Sequence, residues 1–437
     1  MRVRVLALVD GEHYPPVVRA ALECAAEDAD VVAALLLGGS EKLDGDPDYG
    51  VPLERVAAGE TAGSMLDAAA RHGADRVLDL SDEPVLTEAG RFWLASNALA
   101  AGLVYEGPDF ELRPPARELV SVPALEIVGT GKRVGKTAVS AHTARLLDSR
   151  GHRVVVIAMG RGGPEQPEVI EAADRRIGVD DLLRRARAGE HAASDFLEDA
   201  VLAGVTTVGA RRCGGGLAGA TYQSNVVAAA RLAEQLSPGL LLVEGSGAAA
   251  PPLRSDRTVL VTSAARAAGL LQTGLGPVRV LGADLVVMTM CEHGHEETQA
   301  AIEAVAPGTP TIATVLRPEP SEPLGDGPVA YFTTAPTGAA RKLAADLDAD
   351  VTAVVPVLAD RDALREALES PEVRAAETYL VEIKAAAIDV VAEAAVERGA
   401  RVVFCDNRPV ALPSERDLDD ALLELADEAV GARAQAP

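Results

Sequence analysis

Aromatic side chains make up only 3% of the 437 residues, so any core must rest on Val, Leu, Ile and Ala. Positive charge is also short. Asp and Glu outnumber Lys and Arg by 66 to 41, and the net charge of −25 argues against a nucleic-acid or anionic-membrane partner. Cysteine occurs four times (Cys24, Cys213, Cys291 and Cys405), scattered without metal-ligand spacing, which suggests reduced thiols and no disulfide framework. No apolar run approaches the length that spans a bilayer, and the chain starts on a strand-like stretch, Val3–Val9, not on a signal peptide. A cytoplasmic, soluble protein of two or three domains is expected, and 48% hydrophobic residues suffice for several cores.

Against this acidic background the placement of lysine is informative. There are five, and two of them, Lys132 and Lys136, fall in one glycine-rich stretch: Gly129, Thr130, Gly131, Lys132, Arg133, Val134, Gly135, Lys136, Thr137 and Ala138. The apolar run Ala124–Val128 before it reads as a buried strand, and Ala138, Ala141, Leu146 and Leu147 after it recur at helical spacing. Strand, glycine loop, Gly-Lys-Thr and helix is what a phosphate-binding loop requires. Inward-turned amides and the helix N-terminus receive the phosphates, Lys136 reaches the terminal ones, and the Thr137 hydroxyl suits Mg²⁺. The usual leading glycine is displaced by one residue, because Thr130 occupies its place and Gly129 precedes it.

The rest of the chain reads as alternating strands and helices, which predicts an α/β protein. A central parallel-sheet P-loop NTPase domain (119–318) is flanked by an N-terminal α/β domain (1–118) and a C-terminal α/β region (319–437). The first strand ends in Asp10, Glu12 and His13, at the sheet edge where such folds bind ligands. The strand Arg153–Met159 runs into Gly160-Arg161-Gly-Gly-Pro164, where one Arg suits an anionic substrate or a transferring phosphoryl group. Arg211 and Arg212 open a glycine-rich stretch, Ala210–Asn225, that can form an anion cradle. Leu240–Val243 ends in Glu244, an acid placed to serve Mg²⁺. Lys384 and Asp406-Asn-Arg408 end two later strands, and Arg317–Pro328 reads as a linker between domains.

The phosphate loop and Glu244-Gly-Ser-Gly247 resemble the corresponding segments of dethiobiotin synthetases. Together with Val9–Tyr14, Gly160–Pro164, Cys291-Glu292 and Asp406–Pro409, they resemble, nearly end to end, the cyclic 2,3-diphosphoglycerate synthetases. That resemblance implies a ligase using ATP and Mg²⁺ to close 2,3-diphosphoglycerate into an intramolecular phosphoanhydride, with ADP and phosphate released. It casts Lys136, Arg161 and Glu244 as catalytic. Substrate contacts are expected among Asp10, Glu12, His13, Arg161, Arg211, Arg212, Lys384 and Arg408, and metal ligation at Thr137 and Glu244. Two alternatives stay open: a dethiobiotin-type ligase or kinase acting on another small anion, and a P-loop GTPase metal chaperone with Cys291, His293 and His295 as ligands. Oligomeric state is open too, a homodimer included.

Overall fold

The computed structural model describes residues 2–434 except 40–42, 44, 58, 173–176 and 265–266. The chain divides into two compact units, one formed by Met1–Ala116 with Ala268–Gly282 and Ala300–Gly308, the other by the remainder.

In the first unit, β1 (Arg4–Val9), α1 (Pro15–Asp28), β2 (Asp30–Leu36), β3 (Leu53–Arg55), α2 (Thr61–His72), β4 (Arg76–Asp79), α3 (Glu88–Ala100), β5 (Val104–Gly107) and β6 (Phe110–Leu112) follow one another. They form a sheet of order β3-β2-β1-β4-β5-β6, parallel except for the last pair. Strand β1 is central and runs as a continuous apolar segment, as a strand covered on both faces must. The order reverses between β1 and β4, so their carboxyl ends flank a topological switch point.

The second unit holds β7 (Glu118–Leu119), β8 (Ala124–Gly129), α4 (Lys136–Ser149), β9 (Val154–Gly160), β10 (Glu168–Ile170), α5 (Val179–Arg187), α6 (Asp195–Ala203), β11 (Thr207–Cys213), β12 (Gln223–Ser224), α7 (Val226–Gln235), β13 (Leu240–Glu244), β14 (Leu253–Arg254), β15 (Arg257–Ser263) and β16 (Leu285–Thr289). It continues through β17 (Thr311–Pro320), β18 (Val329–Phe332), β19 (Val351–Val355), β20 (Thr378–Glu382) and β21 (Arg401–Ala411). Its main sheet runs β10-β11-β9-β13-β8-β15-β16-β17-β21-β20-β18-β19, with β12 beside β11. Alternate residues of β13 divide between two cores. Leu240 and Leu242 pack on the side of α4 and α6, and Leu241 and Val243 on the side of α7.

Two sequence expectations change here. The linker expected from Arg317 is strand as far as Pro320, so the boundary expected at 318–319 falls inside β17. Its first residues, Thr311–Ala313, pair with β16, whereas Thr314–Pro320 pair only with β21. Beyond Ala313 the strand has one open side, where proline is tolerated. Likewise β21 does not end at Cys405 but runs to Ala411, so Asp406–Arg408 lie within a strand. Because β17 and β21 are antiparallel, while β20 and β21 are parallel, the carboxyl ends of β20 and β21 point back toward the carboxyl edge of β16 and β8.

Candidate active site

Three residues shape the phosphate loop. Gly129 closes β8, and a β-carbon there would fall 3.0 Å from Gly247 O. Gly135 caps α4 at φ 80°, a left-handed conformation that favours glycine, and a β-carbon would also crowd Thr289 at 3.1 Å. Thr130, which displaces the usual glycine, shares a 3.0 Å hydrogen bond with the Thr262 hydroxyl, and its amide donates to Val261 O. The Thr289 hydroxyl donates to Val134 O at 2.8 Å. The ends of β15 and β16 thus hold the loop open at the N-terminus of α4, where backbone amides and helix dipole favour an anion.

Lys136 is buried, and its Nζ lies 2.8 Å from Glu244 Oε1 at the end of β13. The approach is off the line of a hydrogen bond, which leaves Nζ and both Glu244 oxygens without such a partner. Burial alone would lower the pKa of this ammonium, but the charges of Glu244 and Asp195 more than offset it and hold it above the ordinary lysine range.

Asp195 and Asp199 were not expected from the sequence. On α6, whose first turn is acidic and which begins after Ser194, Asp199 is buried and Asp195 partly exposed. The signal was present: Ser-Asp preceding the periodic apolar residues Phe196, Leu197 and Val201 is a helix start. Burial, followed by the negative charge of Glu244, pushes the Asp199 carboxyl well above its usual range, and neither of its oxygens has a hydrogen-bond partner. Burial likewise raises Asp195 despite the pull of Lys136. Glu198, between them, is pushed up to about 8 by burial against the opposing charge of Lys384.

A second group forms at Gly247. A β-carbon at that residue (φ 59°) would fall 3.0 Å from Arg161 Nη2, 3.6 Å from Arg212 Nη2 and 3.8 Å from Lys132 Cγ. Arg212 is held from behind, donating to Gly214 O at 2.8 Å and Ser246 O at 2.7 Å, with its Nε left without a partner. Burial and the neighbouring charge of Arg161 lower its pKa. None of the three cations forms a salt bridge among the described residues. Arg211 is different: it neighbours Arg212 within β11, so strand alternation sends its side chain to the opposite face. The pair expected to act together is split. The stretch Ala210–Asn225 is correspondingly strand as far as Cys213, and glycine loop only after it.

The remaining expected substrate contacts lie at the C-terminal strands and in the first unit. Lys384 follows β20 and sits 3.5 Å from Glu198 Oε1, with Glu382 and Asp406 also acting on it. Arg408 is exposed on β21, 4.0 Å from Glu319. In the first unit, Asp10 is fully buried and accepts from the amides of Glu12 (2.9 Å), His13 (3.1 Å) and Asp82 (2.7 Å), with His13 Nδ1 at 2.8 Å. Burial would raise it, but those bonds outweigh burial and hold it below the usual range. Its carboxylate is engaged within the turn, while Glu12 and His13 are partly exposed there. Cys291 is buried with Sγ toward Met288 O, His293 is exposed, and His295 lies 3.9 Å from Glu415. Among the described residues no three His, Cys, Asp or Glu side chains are placed to hold a metal between them. An ion that travels with nucleotide phosphates needs only one or two carboxylates, so the bar for Mg²⁺ is lower.

Three family models cover most of the chain. They are the N-terminal domain (residues 4–113), the P-loop domain (124–315) and the C-terminal domain (320–408) of cyclic 2,3-diphosphoglycerate synthetase. The chain belongs to the cyclic 2,3-diphosphoglycerate synthetase family. A relative of that name from Rubrobacter xylanophilus is 47% identical, covering 97% of each chain. One from Methanothermobacter thermautotrophicus is 39% identical over 98% of this chain and 96% of its own. A third, from Thermococcus kodakarensis, is 39% identical over 98% and 100%. Among solved structures, LpxK from Aquifex aeolicus in complex with ATP aligns at 17% identity and a TM-score of 0.43, over 72% of this chain and 90% of that one. No helix among the described residues is long and apolar enough to cross a membrane.

Proposed function

We propose that this enzyme closes 2,3-diphosphoglycerate into its cyclic intramolecular phosphoanhydride at the expense of ATP, releasing ADP and phosphate. The observation that carries this reading is the group of three cations at Gly247, Lys132, Arg161 and Arg212, none with a carboxylate partner among the described residues, in a protein of net charge −25. A bisphosphate is a dense anion, and its two phosphates repel each other as they approach. Cations held in place beforehand offset that repulsion without having to reorganise during the reaction.

In this reading the γ-phosphoryl group of ATP passes to one substrate phosphate, with the bond to ADP breaking as the new one forms. The second phosphate then attacks the first, closing the ring, and the transferred group leaves as inorganic phosphate. Lys136 leaves Glu244 and neutralises the terminal phosphates, while the amides of Gly131–Thr137 cradle them. Arg161, on the Gly160–Pro164 turn, bridges the transferring group and the substrate, and Arg212 and Lys132 hold the substrate phosphates. A phosphate ionised near neutral pH attacks unaided, so no general base is required.

The oxygens of Glu244 and Asp199, which make no well-aligned hydrogen bond among the described residues, fit a hard divalent cation. Thr137 and Glu244, joined by Asp195 or Asp199, would hold Mg²⁺. When bound, the ion would draw charge from the phosphate oxygens. Four free cysteines fit a reducing cytoplasm.

The test is phosphorus NMR of the protein with ATP, Mg²⁺ and 2,3-diphosphoglycerate. Expected are loss of both substrate monoester signals, a new phosphoanhydride signal, and ADP and phosphate in equal amounts. Production of ADP with the bisphosphate signals intact would reject the assignment.

A further inference from the structure

Two ion pairs join the end of β20 and the middle of β21 to the helices around the phosphate loop. Arg145 Nη2 on α4 lies 2.7 Å from Asp406 Oδ2, and Lys384 Nζ lies 3.5 Å from Glu198 Oε1 on α6. The second pair is the more constrained. Lys384 leaves β20 in a tight turn, its amide donating to Glu382 O at 2.8 Å, and Ala385 follows at φ 51°, a conformation unfavourable for a residue with a β-carbon. Glu382 is occupied elsewhere, accepting from the Thr333 hydroxyl, from the amide and hydroxyl of Thr334, and from Asn407. Glu198, nearly buried, is the carboxylate in ion-pair contact with Lys384.

Glu198 stands one helical turn after Asp195 and next to Asp199, so whatever fixes Glu198 fixes the first turn of α6. Lys384 itself faces Glu198, Glu382 and Asp406, which leaves little net positive charge for a substrate phosphate.

We infer that Lys384 is a positioning residue which, through Glu198, holds Asp195 and Asp199 at the divalent-cation position beside Glu244. This rests on the metal-dependent phosphoryl transfer proposed above. It replaces a direct substrate contact by a mechanical one: the C-terminal strands set the acidic wall of the phosphate-loop site.

The test uses Mn²⁺ as the ion and AMPPNP as the nucleotide. Lys384→Met and Glu198→Gln each weaken Mn²⁺ binding in the presence of AMPPNP about tenfold, read by electron paramagnetic resonance. AMPPNP affinity in EDTA, read by calorimetry, stays within about twofold. The double variant binds Mn²⁺ no more weakly than either single one, because the two residues act as a unit. Lys384→Arg restores binding to within about threefold, and with Glu198→Gln it carries the test if Lys384→Met fails to fold. Unchanged Mn²⁺ affinity with a tenfold rise in apparent KM for 2,3-diphosphoglycerate would overturn the inference in favour of direct substrate contact. Unchanged values throughout would overturn it as well. If the parent protein itself binds no Mn²⁺ with AMPPNP, the underlying metal–nucleotide reading is what fails.

Discussion

Two loops in this chain occupy equivalent places in their sheets. One follows β1 and the other follows β8, each at the carboxyl edge of a central parallel strand, and each carries glycine and charge. They differ in what their charged groups are doing. Asp10 accepts three backbone amides and pairs with His13, so its capacity is used within the turn. Lys136 and Glu244 meet without hydrogen-bond alignment, and Lys132, Arg161 and Arg212 have no carboxylate partner among the described residues. Residue type does not separate the two loops. Unspent bonding capacity does, and where it is buried, as at Lys136, Glu244 and Arg212, leaving a group unmatched costs roughly 1–3 kcal/mol unless a ligand completes it, whereas Lys132 and Arg161 are exposed.

The contrast is broken most directly at Lys136. Lys136→Ala should abolish ATP-dependent turnover to the limit of assay, a loss of roughly a thousandfold or more. Near-normal turnover in that variant would remove the phosphate-loop assignment. Next comes Arg161→Lys, which keeps charge but loses the planar fork. Cyclisation should slow about a hundredfold, roughly 3 kcal/mol of transition-state stabilisation, while ATP affinity by calorimetry changes little. Arg212→Ala should raise the apparent KM for 2,3-diphosphoglycerate about tenfold, whereas Arg211→Ala, on the other face of β11, should shift it less than about twofold. Equal effects at both positions would mean that strand alternation does not sort them.

Asp10→Asn sharpens the comparison from the other side. The variant should lose roughly 1–3 kcal/mol of stability, because a buried acceptor of several amides is weakened. Its turnover at saturating substrate should stay within about threefold of the parent. A tenfold loss of turnover at unchanged melting temperature would show that the first loop is chemically engaged after all.

The parallel sheet and the phosphate loop were legible from sequence because both depend on local pattern. Continuous apolar runs such as Leu240–Val243 mark strands covered on both faces, and Gly135-Lys136-Thr137 sits where strand gives way to helix. The acidic wall was not legible. Asp195, Glu198 and Asp199 look like an ordinary solvated helix face until tertiary packing buries the latter two and covers part of the first. Nor was β17, whose Arg317-Pro-Glu-Pro320 reads as a linker and becomes strand only because β21 offers a partner on one side. Arg211 and Arg212 were read as a pair because the glycines after them suggested a loop, whereas the strand continues to Cys213 and separates them.

Strand β17 also bears on which changes of chain length this protein can absorb. Its first three residues are in register with β16 and its last seven with β21, so it is the strand that sets one half of the sheet against the other. Inserting or deleting one residue between Thr311 and Pro320 would slide the C-terminal strands by about 3.3 Å and exchange the faces of the residues beyond it. Lys384 and Asp406 would then miss their partners on α6 and α4. Ser321 still donates to Phe404 O of β21, and the segment 322–328 after it belongs to no strand, so variation in length belongs there.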